Sequence, residues 1–410
     1  MDLDIEFMDA LNWDENMRPR TRYMQEHSRV HWSQKDRLWV VTRFEDVAFV
    51  SKHQDLFTSA EGVRPNNPAK LGLIDEAEPK HGQLRNMINK GFTPRMVKKL
   101  EESFTEITTE CIDAVIAKGE CDFVEDIAVP LPLLLIAEMI GIRREDRKRF
   151  HAWSDAMIAG DGNLDKPEVM AKAGAAFLEY SAYTKEIIED RRKNPQDDLV
   201  SVLVGAKDDG MLGNFGQANE LKGLEFNAEE SVLANDELVM LLVLLMVAGN
   251  ETTRNALSGG MQLLIDNPEA KQRLIDDPSL IPAACEEMVR LVSPVQTFGR
   301  TATQDTEIAG QPIKQGDKVL MVYPAANSDS REFENPDVFD IDRHPQHLGF
   351  GLGTHFCMGA NLARMEMRVA FEQLLRRMPD IEHAGGGPRI VPSALVRNCA
   401  EMRVKFTPES

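Results

Sequence analysis

No two of the five cysteines form a Cys-x-x-Cys pair: Cys111, Cys121, Cys285, Cys357 and Cys399 are scattered through 410 residues. Such an odd, sparse set excludes a disulfide framework and fits a reducing compartment. A His-Glu-x-x-His run is missing too, so nothing suggests a zinc centre, and His344 to His347 read as loop. The N-terminus lacks an apolar run. Charges recur from Met1 to Arg20, which predicts neither a signal peptide nor a membrane anchor and points to a cytoplasmic protein. Positive charge is in deficit, with 47 Lys and Arg against 67 Asp and Glu. Nucleic acid and anionic membranes need a basic footprint and are disfavoured as partners. Internal repeats and low-complexity linkers are absent as well, and residues 1–410 are read as a single domain.

What is present is a chain with 42% hydrophobic residues, enough to bury a large core. Val30 to Trp32 and Leu38 to Val41 flank a polar stretch and read as a hairpin. From about Pro79 onward the pattern turns helical. Helix-period segments run from Arg95 to Lys118, Leu131 to Ile140, Ala171 to Arg192, Asp236 to Asp266, Ile281 to Val292 and Ala360 to Arg377. Ile308 to Val322 and Leu395 to Phe406 look like short hairpins, so the expected class is mainly α with small β-sheets. Lys207 to Asn235 reads as a long polar connection.

One cysteine has an unusual setting. In Phe350-Gly351-Leu352-Gly353-Thr354-His355-Phe356-Cys357-Met358-Gly359 it follows a glycine-rich turn and precedes an apolar helix. The first-turn amides of that helix favour a thiolate. Gly351 and Gly353 permit a backbone other residues would strain, and Gly359 lets a flat ring approach the chain. A dinucleotide loop does not fit, because a third glycine is missing at Phe356. The decapeptide resembles the haem-binding signature of the cytochrome P450 family, in which phenylalanine, glycine, cysteine and glycine recur at this spacing with a basic residue two before the cysteine. The resemblance implies haem b with Cys357 as iron ligand and Phe350, Gly351, His355 and Gly359 around it.

Leu238 to Ala248 is apolar on every face, so its helix is buried all round. Gly249-Asn250-Glu251-Thr252-Thr253 then interrupts it; the glycine is expected to leave room for a ligand, and a threonine hydroxyl to open the ladder. Ala248-Gly249-x-Glu251-Thr252 resembles the oxygen-binding motif of the same family. By that resemblance Ala248 and Gly249 face the cofactor, while Glu251 and Thr252 deliver protons. The expected fold is then the cytochrome P450 fold, a long central helix over a buried haem.

Glu287 and Arg290 lie one helical turn apart, ordinarily a weak surface pair. The family carries this pair together with a later arginine, here Arg343, and the resemblance makes all three structural. It also assigns His81, Arg85, Arg300 and His355 to the haem propionates, groups that need cationic or hydrogen-bonding partners.

A thiolate-ligated haem favours O–O cleavage. The resemblance therefore implies a monooxygenase that hydroxylates a hydrophobic substrate with dioxygen. A steroid or sterol side chain or a terpenoid is expected first; a fatty-acid or aromatic-hydrocarbon hydroxylase is the alternative, and a haem-based ligand-binding or sensor protein without turnover is the alternative of another class. No flavin or iron–sulfur motif is present, so NAD(P)H would act through a ferredoxin and ferredoxin reductase. These would dock near Arg85, Lys90, Arg95, Lys98, Lys99, Arg364 and Arg368, on a monomer. Substrate walls are expected at Val243, Val247, Val295, Phe298, Leu395 and Val396. Arg64, Asn66 and Asn67 read as exposed loop.

Overall fold

The computed structural model describes residues 3–67, 70, 72–89, 94–161, 166–208 and 235–409. Most of the polar connection between Lys207 and Asn235, together with Lys90 and the Arg95 side chain, lies outside the described residues. The helices are α1 (Met17–His27), α2 (Phe44–Lys52), α3 (Lys80–Asn89), α4 (Pro94–Ile116), α5 (Pro130–Met139), α6 (Arg147–Asp161), α7 (Pro167–Lys193), α8 (Leu199–Asp208), α9 (Asn235–Asp266), α10 (Pro268–Asp276), α11 (Ile281–Val292), α12 (Tyr323–Ala326) and α13 (Ala360–Arg377). The strands are β1 (Val30–Ser33), β2 (Leu38–Val41), β3 (Phe57–Thr58), β4 (Glu120–Asp122), β5 (Thr297–Ala302), β6 (Thr306–Ile308), β7 (Gln311–Ile313), β8 (Lys318–Val322), β9 (Glu382–His383), β10 (Arg389–Val391), β11 (Asn398–Glu401) and β12 (Arg403–Lys405). The expected class, mainly α with small sheets, is what the chain adopts.

Contacts divide the chain into two compact units. The first comprises Met1–Lys70, Phe104–Pro132 and Glu251–Ser410, the second Leu71–Ser103 and Leu133–Asn250. Each is discontinuous, which is why no compositional boundary marks them.

The first unit is organised by a five-stranded sheet in the order β1-β2-β8-β5-β3. β2 and β8 run parallel, with Val40 opposite Leu320, and β5 pairs antiparallel with β8, placing Arg300 opposite Val319. The alternation in β8 serves two cores. Val319 and Met321 join Val41, Val47 and Phe57, while Leu320 and Val322 join Phe7, Trp13 and Val40. α11 starts with Pro282 in its first turn, buries Ile281, Ala284, Cys285, Met288, Val289 and Val292 on one stripe, and ends on Ser293 in the left-handed region.

In the second unit the apolar half of α9 is enclosed by its neighbours. The Tyr180 hydroxyl donates to the Leu242 carbonyl at 3.2 Å, and Asn250 Nδ2 donates to Ser154 Oγ at 3.0 Å. Leu238, Val239, Leu241, Leu242, Val243, Leu244 and Met246 are buried. Among the described residues no helix is long and apolar enough to cross a membrane.

Four expectations need correction. Helices begin well before Pro79, with α1 and α2. Ile308 to Val322 is not one hairpin: β6 pairs β7, whereas β8 belongs to the large sheet. Leu395 to Phe406 is not a hairpin either, since β11 pairs β10 and β12 pairs β4 and β9. α9 runs unbroken through Gly249 and Thr252 for 32 residues, about 48 Å at 1.5 Å per residue.

α13 carries a buried acid that none of the sequence motifs includes. Glu366 is 3% exposed, and its Oε2 has no hydrogen-bond partner among the described residues. Burial alone pushes its pKa up to about 8. The unfolded chain ionises at about 4.5, so between there and about 8 the unfolded state loses a proton that the folded state keeps, and stability falls as pH rises. Glu366→Gln removes this dependence. Its unfolding free energy relative to the wild type is expected to be larger at pH 8.5 than at pH 5 by roughly 3–5 kcal/mol. Melting both proteins at both pH values checks this, and an advantage that does not change with pH would contradict it.

Candidate active site

The loop carrying Cys357 is built by short backbone bonds and two left-handed glycines. Asn327 Oδ1 accepts from the Leu348 N–H at 2.7 Å, and the Gly351 N–H bonds the Leu348 carbonyl at 2.9 Å. Gly351 has φ +69° and Gly353 φ +73°, a region where side chains are strained. Gly353 also lies so close to α2 that a Cβ would sit 2.7 Å from the Ser51 carbonyl oxygen. The turn closes where the Cys357 N–H donates to the Phe350 carbonyl at 2.8 Å.

α13 starts three residues after the sulfur, with Gly359 at its N-cap. The positive end of an 18-residue helix thus lies beside Cys357. A Cβ at Gly359 would stand 3.9 Å from Cys357 Sγ, so the glycine keeps the approach to the sulfur clear. The other cysteines are of a different kind. Cys111 and Cys121 are buried with thiols pushed up to about 12, and burial also raises Cys285 and Cys399, whereas Cys357 is exposed. A soft ligand beside a helix N-terminus, reachable by a flat group, fits a haem iron.

Behind the loop the structure brings Glu287, Arg290 and Arg343 together. Arg290 Nε and Nη2 each donate to the Glu287 carboxylate at 2.7 Å, and Arg343 Nε donates to Glu287 Oε1 at 3.0 Å. Arg290 Nη1 reaches the carbonyls of Asn327 (2.7 Å) and Pro336 (2.9 Å). Asn327 is the residue that also holds Leu348, so the buried pair is tied directly to the cysteine loop.

The proposed propionate ligands fall in both units. In the first, Arg300 on β5 is 5% exposed, and His355 Nε2 lies 3.1 Å from Ser59 Oγ. Neighbouring Gly299 is needed because a Cβ there would stand 2.6 Å from Pro65 Cγ. This holds the 63–65 segment on β5, and Arg64, expected to be exposed, is 8% exposed. In the second unit, His81 and Arg85 share α3; His81 is 1% exposed with Nδ1 2.8 Å from Glu78 Oε1.

On α9, Glu251 is buried and its Oε1 accepts from Arg254 Nη2 at 2.7 Å and Asn255 Nδ2 at 2.9 Å. Thr252 is half-buried beside it. Asn255 also donates to the Glu251 carbonyl at 2.8 Å, and its Oδ1 accepts from the Cys399 N–H at 2.8 Å. Arg254 and Asn255 lie outside the sequence motifs, although their spacing of three and four from Glu251 signals contact on a helix. At Gly249 the local packing departs from the expectation of open space: a Cβ would stand 2.8 Å from Ile136 Cδ1. This glycine admits a neighbouring helix. Ala248 is exposed.

Of the expected substrate walls, four come together. Val295 and Val396 form a β-bridge, the Gln296 N–H bonds the Leu395 carbonyl at 2.8 Å, and Phe298 follows on β5. Val243 is buried and Val247 half-buried on α9 in the second unit. The basic residues carry less net charge than the sequence suggests. Lys99 Nζ lies 3.5 Å from Asp197, Lys98 Nζ 3.8 Å from Glu102, Arg368 3.3 Å from Glu372 and Arg364 2.7 Å from Glu286. The contact from Arg364 to Glu286, together with His347, also escaped the sequence reading.

Comparison with known proteins agrees with this geometry. A family model described as Cytochrome P450 matches residues 164–383. The chain is 38% identical over 374 residues to a steroid C26-monooxygenase of Mycobacterium tuberculosis, covering 90% of this chain and 95% of the relative. It is 37% identical over 355 residues to a methyl-branched lipid omega-hydroxylase of Mycobacterium bovis, covering 84% and 78%. A crystal structure of a cytochrome P450 of Bacillus megaterium in complex with testosterone matches with TM-score 0.81 at 30% identity, over 95% of this chain and 99% of that one. With the cysteine loop and the α11 network standing as described, the chain belongs to the cytochrome P450 family and is a monooxygenase.

Proposed function

We propose that the chain, acting as one domain over 1–410, hydroxylates a steroid or sterol side chain. The observation that carries this is the 38% identity, over 90% of this chain, to a protein named for steroid C26 oxidation. Haem bound through Cys357 supplies dioxygen activation and insertion of one oxygen atom into a C–H bond. Phe350, Gly351 and Gly359 would flank the thiolate side of the bound haem. Arg300 and His355 would meet the propionates as cationic or hydrogen-bonding partners. Glu251 and Thr252 pass protons inward, with Arg254 and Asn255 orienting the Glu251 carboxylate. Val295, Phe298, Leu395 and Val396 form apolar walls that select a hydrophobic molecule. Electrons come from NAD(P)H through a ferredoxin reductase and a ferredoxin docking by Arg364 and Arg368, on a monomer.

A second reading, ω-hydroxylation of a branched or straight lipid chain, is favoured by the omega-hydroxylase relative. Titrating the holoenzyme with sterols, terpenoids, fatty acids and methyl-branched lipids separates the two. Steroids are expected to convert the haem from low to high spin and to yield hydroxylated product with surrogate ferredoxin and reductase. A response confined to acyl chains would replace the first reading with the second.

A further inference from the structure

His347, Glu286 and Arg364 come from three elements: the loop before Phe350, α11 and α13. His347 Nε2 lies 3.2 Å from Glu286 Oε2, and Arg364 grips the same carboxylate through Nε at 2.7 Å and Nη2 at 2.9 Å. The Gly349 N–H donates to His347 Nδ1 at 3.0 Å. Nδ1 is therefore the acceptor, so Nε2 carries the proton and donates to Glu286. Burial alone would favour the neutral acid, but the hydrogen bonds from His347 and Arg364 outweigh it and hold Glu286 at about 2.

Both donors also clasp Phe350. The Arg364 guanidinium lies 4.7 Å over its ring, and the His347 ring centroid is 5.6 Å away. Phe350 in turn receives the Cys357 N–H. The Arg364 guanidinium is raised above its usual pKa by its hydrogen bond to Glu286, with a further electrostatic contribution from Cys357. The Arg364 cation is thus packed on the residue that receives the Cys357 N–H, and one anion fixes that cation and offsets part of its charge.

We propose that Glu286 is a positioning residue for the thiolate: locked by His347, it holds Arg364 against the Phe350 ring of the cysteine loop and offsets the pull of that cation on the sulfur's electron density. This rests on Cys357 being the haem ligand. Removing the anion leaves the cation, still stacked on the Phe350 ring, unopposed and makes the iron easier to reduce; removing the cation does the reverse.

The test is a potentiometric titration of the holoenzyme, following the haem spectrum, for wild type, Glu286→Gln, Arg364→Gln and the double variant. Glutamine keeps an acceptor oxygen for His347 Nε2–H and Arg364 Nη2, and replaces the oxygen that accepts from Arg364 Nε by an NH2, so the charge and one hydrogen bond are lost together. At the potential that half-reduces the wild type, Glu286→Gln is expected to raise the reduced-to-oxidised ratio about threefold or more, ~28 mV at 59 mV per decade. Arg364→Gln lowers the ratio by a similar factor, and the double variant returns close to wild type. All retain the thiolate-type carbon-monoxide band. An unchanged or lowered ratio in Glu286→Gln with that band intact would overturn the proposal. If Glu286→Gln yields no holoprotein, Arg364→Gln at its half-exposed site decides, and an unchanged or raised ratio there overturns it. A wild type lacking the thiolate-type band would instead sink the assignment of Cys357, and the proposal with it.

Discussion

Glu287→Gln is expected to lower the yield and melting point of folded holoprotein sharply, although it alters one atom type in a side chain that touches no substrate. The Glu287 and Arg290 side chains are 0% exposed, and Arg343 shares the same carboxylate. Taking the charge from Glu287 leaves Arg290 buried without a counter-ion, a loss of about 3–5 kcal/mol. Folded domains hold only about 5–15 kcal/mol in total. Arg290 also donates to the Asn327 carbonyl, and Asn327 Oδ1 holds the Leu348 N–H at 2.7 Å. The damage therefore falls on the cysteine loop first. The fraction of purified chains that bind haem with a thiolate-type spectrum, and their melting point, measure it. A variant that loads and melts like wild type would mean that the cluster is dispensable.

The second large effect concerns proton supply. Glu251→Gln is expected to slow product formation about 100-fold, the scale at which a positioned acid or base acts. Thr252→Ala is expected to keep consuming NAD(P)H while forming little hydroxylated product. In both variants the thiolate-type carbon-monoxide band is expected to remain, because Cys357 is unchanged. Arg254→Ala separates orientation from chemistry. It removes the 2.7 Å bond to Glu251 Oε1 but leaves the one from Asn255, so a partial loss is expected. The ratio of product formed to cofactor consumed, measured for the three variants with surrogate redox partners, reads these outcomes. Full coupling in Thr252→Ala would remove the threonine from the proton path.

These two sites were legible in the sequence for different reasons. α11 and α13 match their expected bounds because apolar residues recur every three or four positions between clear ends, Pro282 and Ser293 in one and Gly359 and Arg377 in the other. The Cys357 loop is contiguous, so its glycines and its cysteine declare themselves together. β5 escaped because Thr297 to Ala302 contains a glycine and a buried arginine and little alternation. Its place in the sheet depends on β8, and β8 in turn on β2, a parallel partner far away in sequence. α1 escaped because Pro19 and three arginines hide its four buried positions. Gly249 shows the limit of a motif: the glycine is expected to leave room for a ligand, but Ile136, over a hundred residues away, fills that space. The contact of His347 with Glu286 was invisible for the same reason, since each residue alone reads as ordinary loop or helix surface.

The central claim is that Cys357 holds a haem iron as a thiolate, and the carbon-monoxide difference spectrum of the reduced protein tests it most directly. Wild type is expected to give the long-wavelength band of a thiolate-ligated haem, and Cys357→His to bind haem but lose that band. A band that survives in Cys357→His, or a haem-loaded wild type that never shows it, would contradict the account.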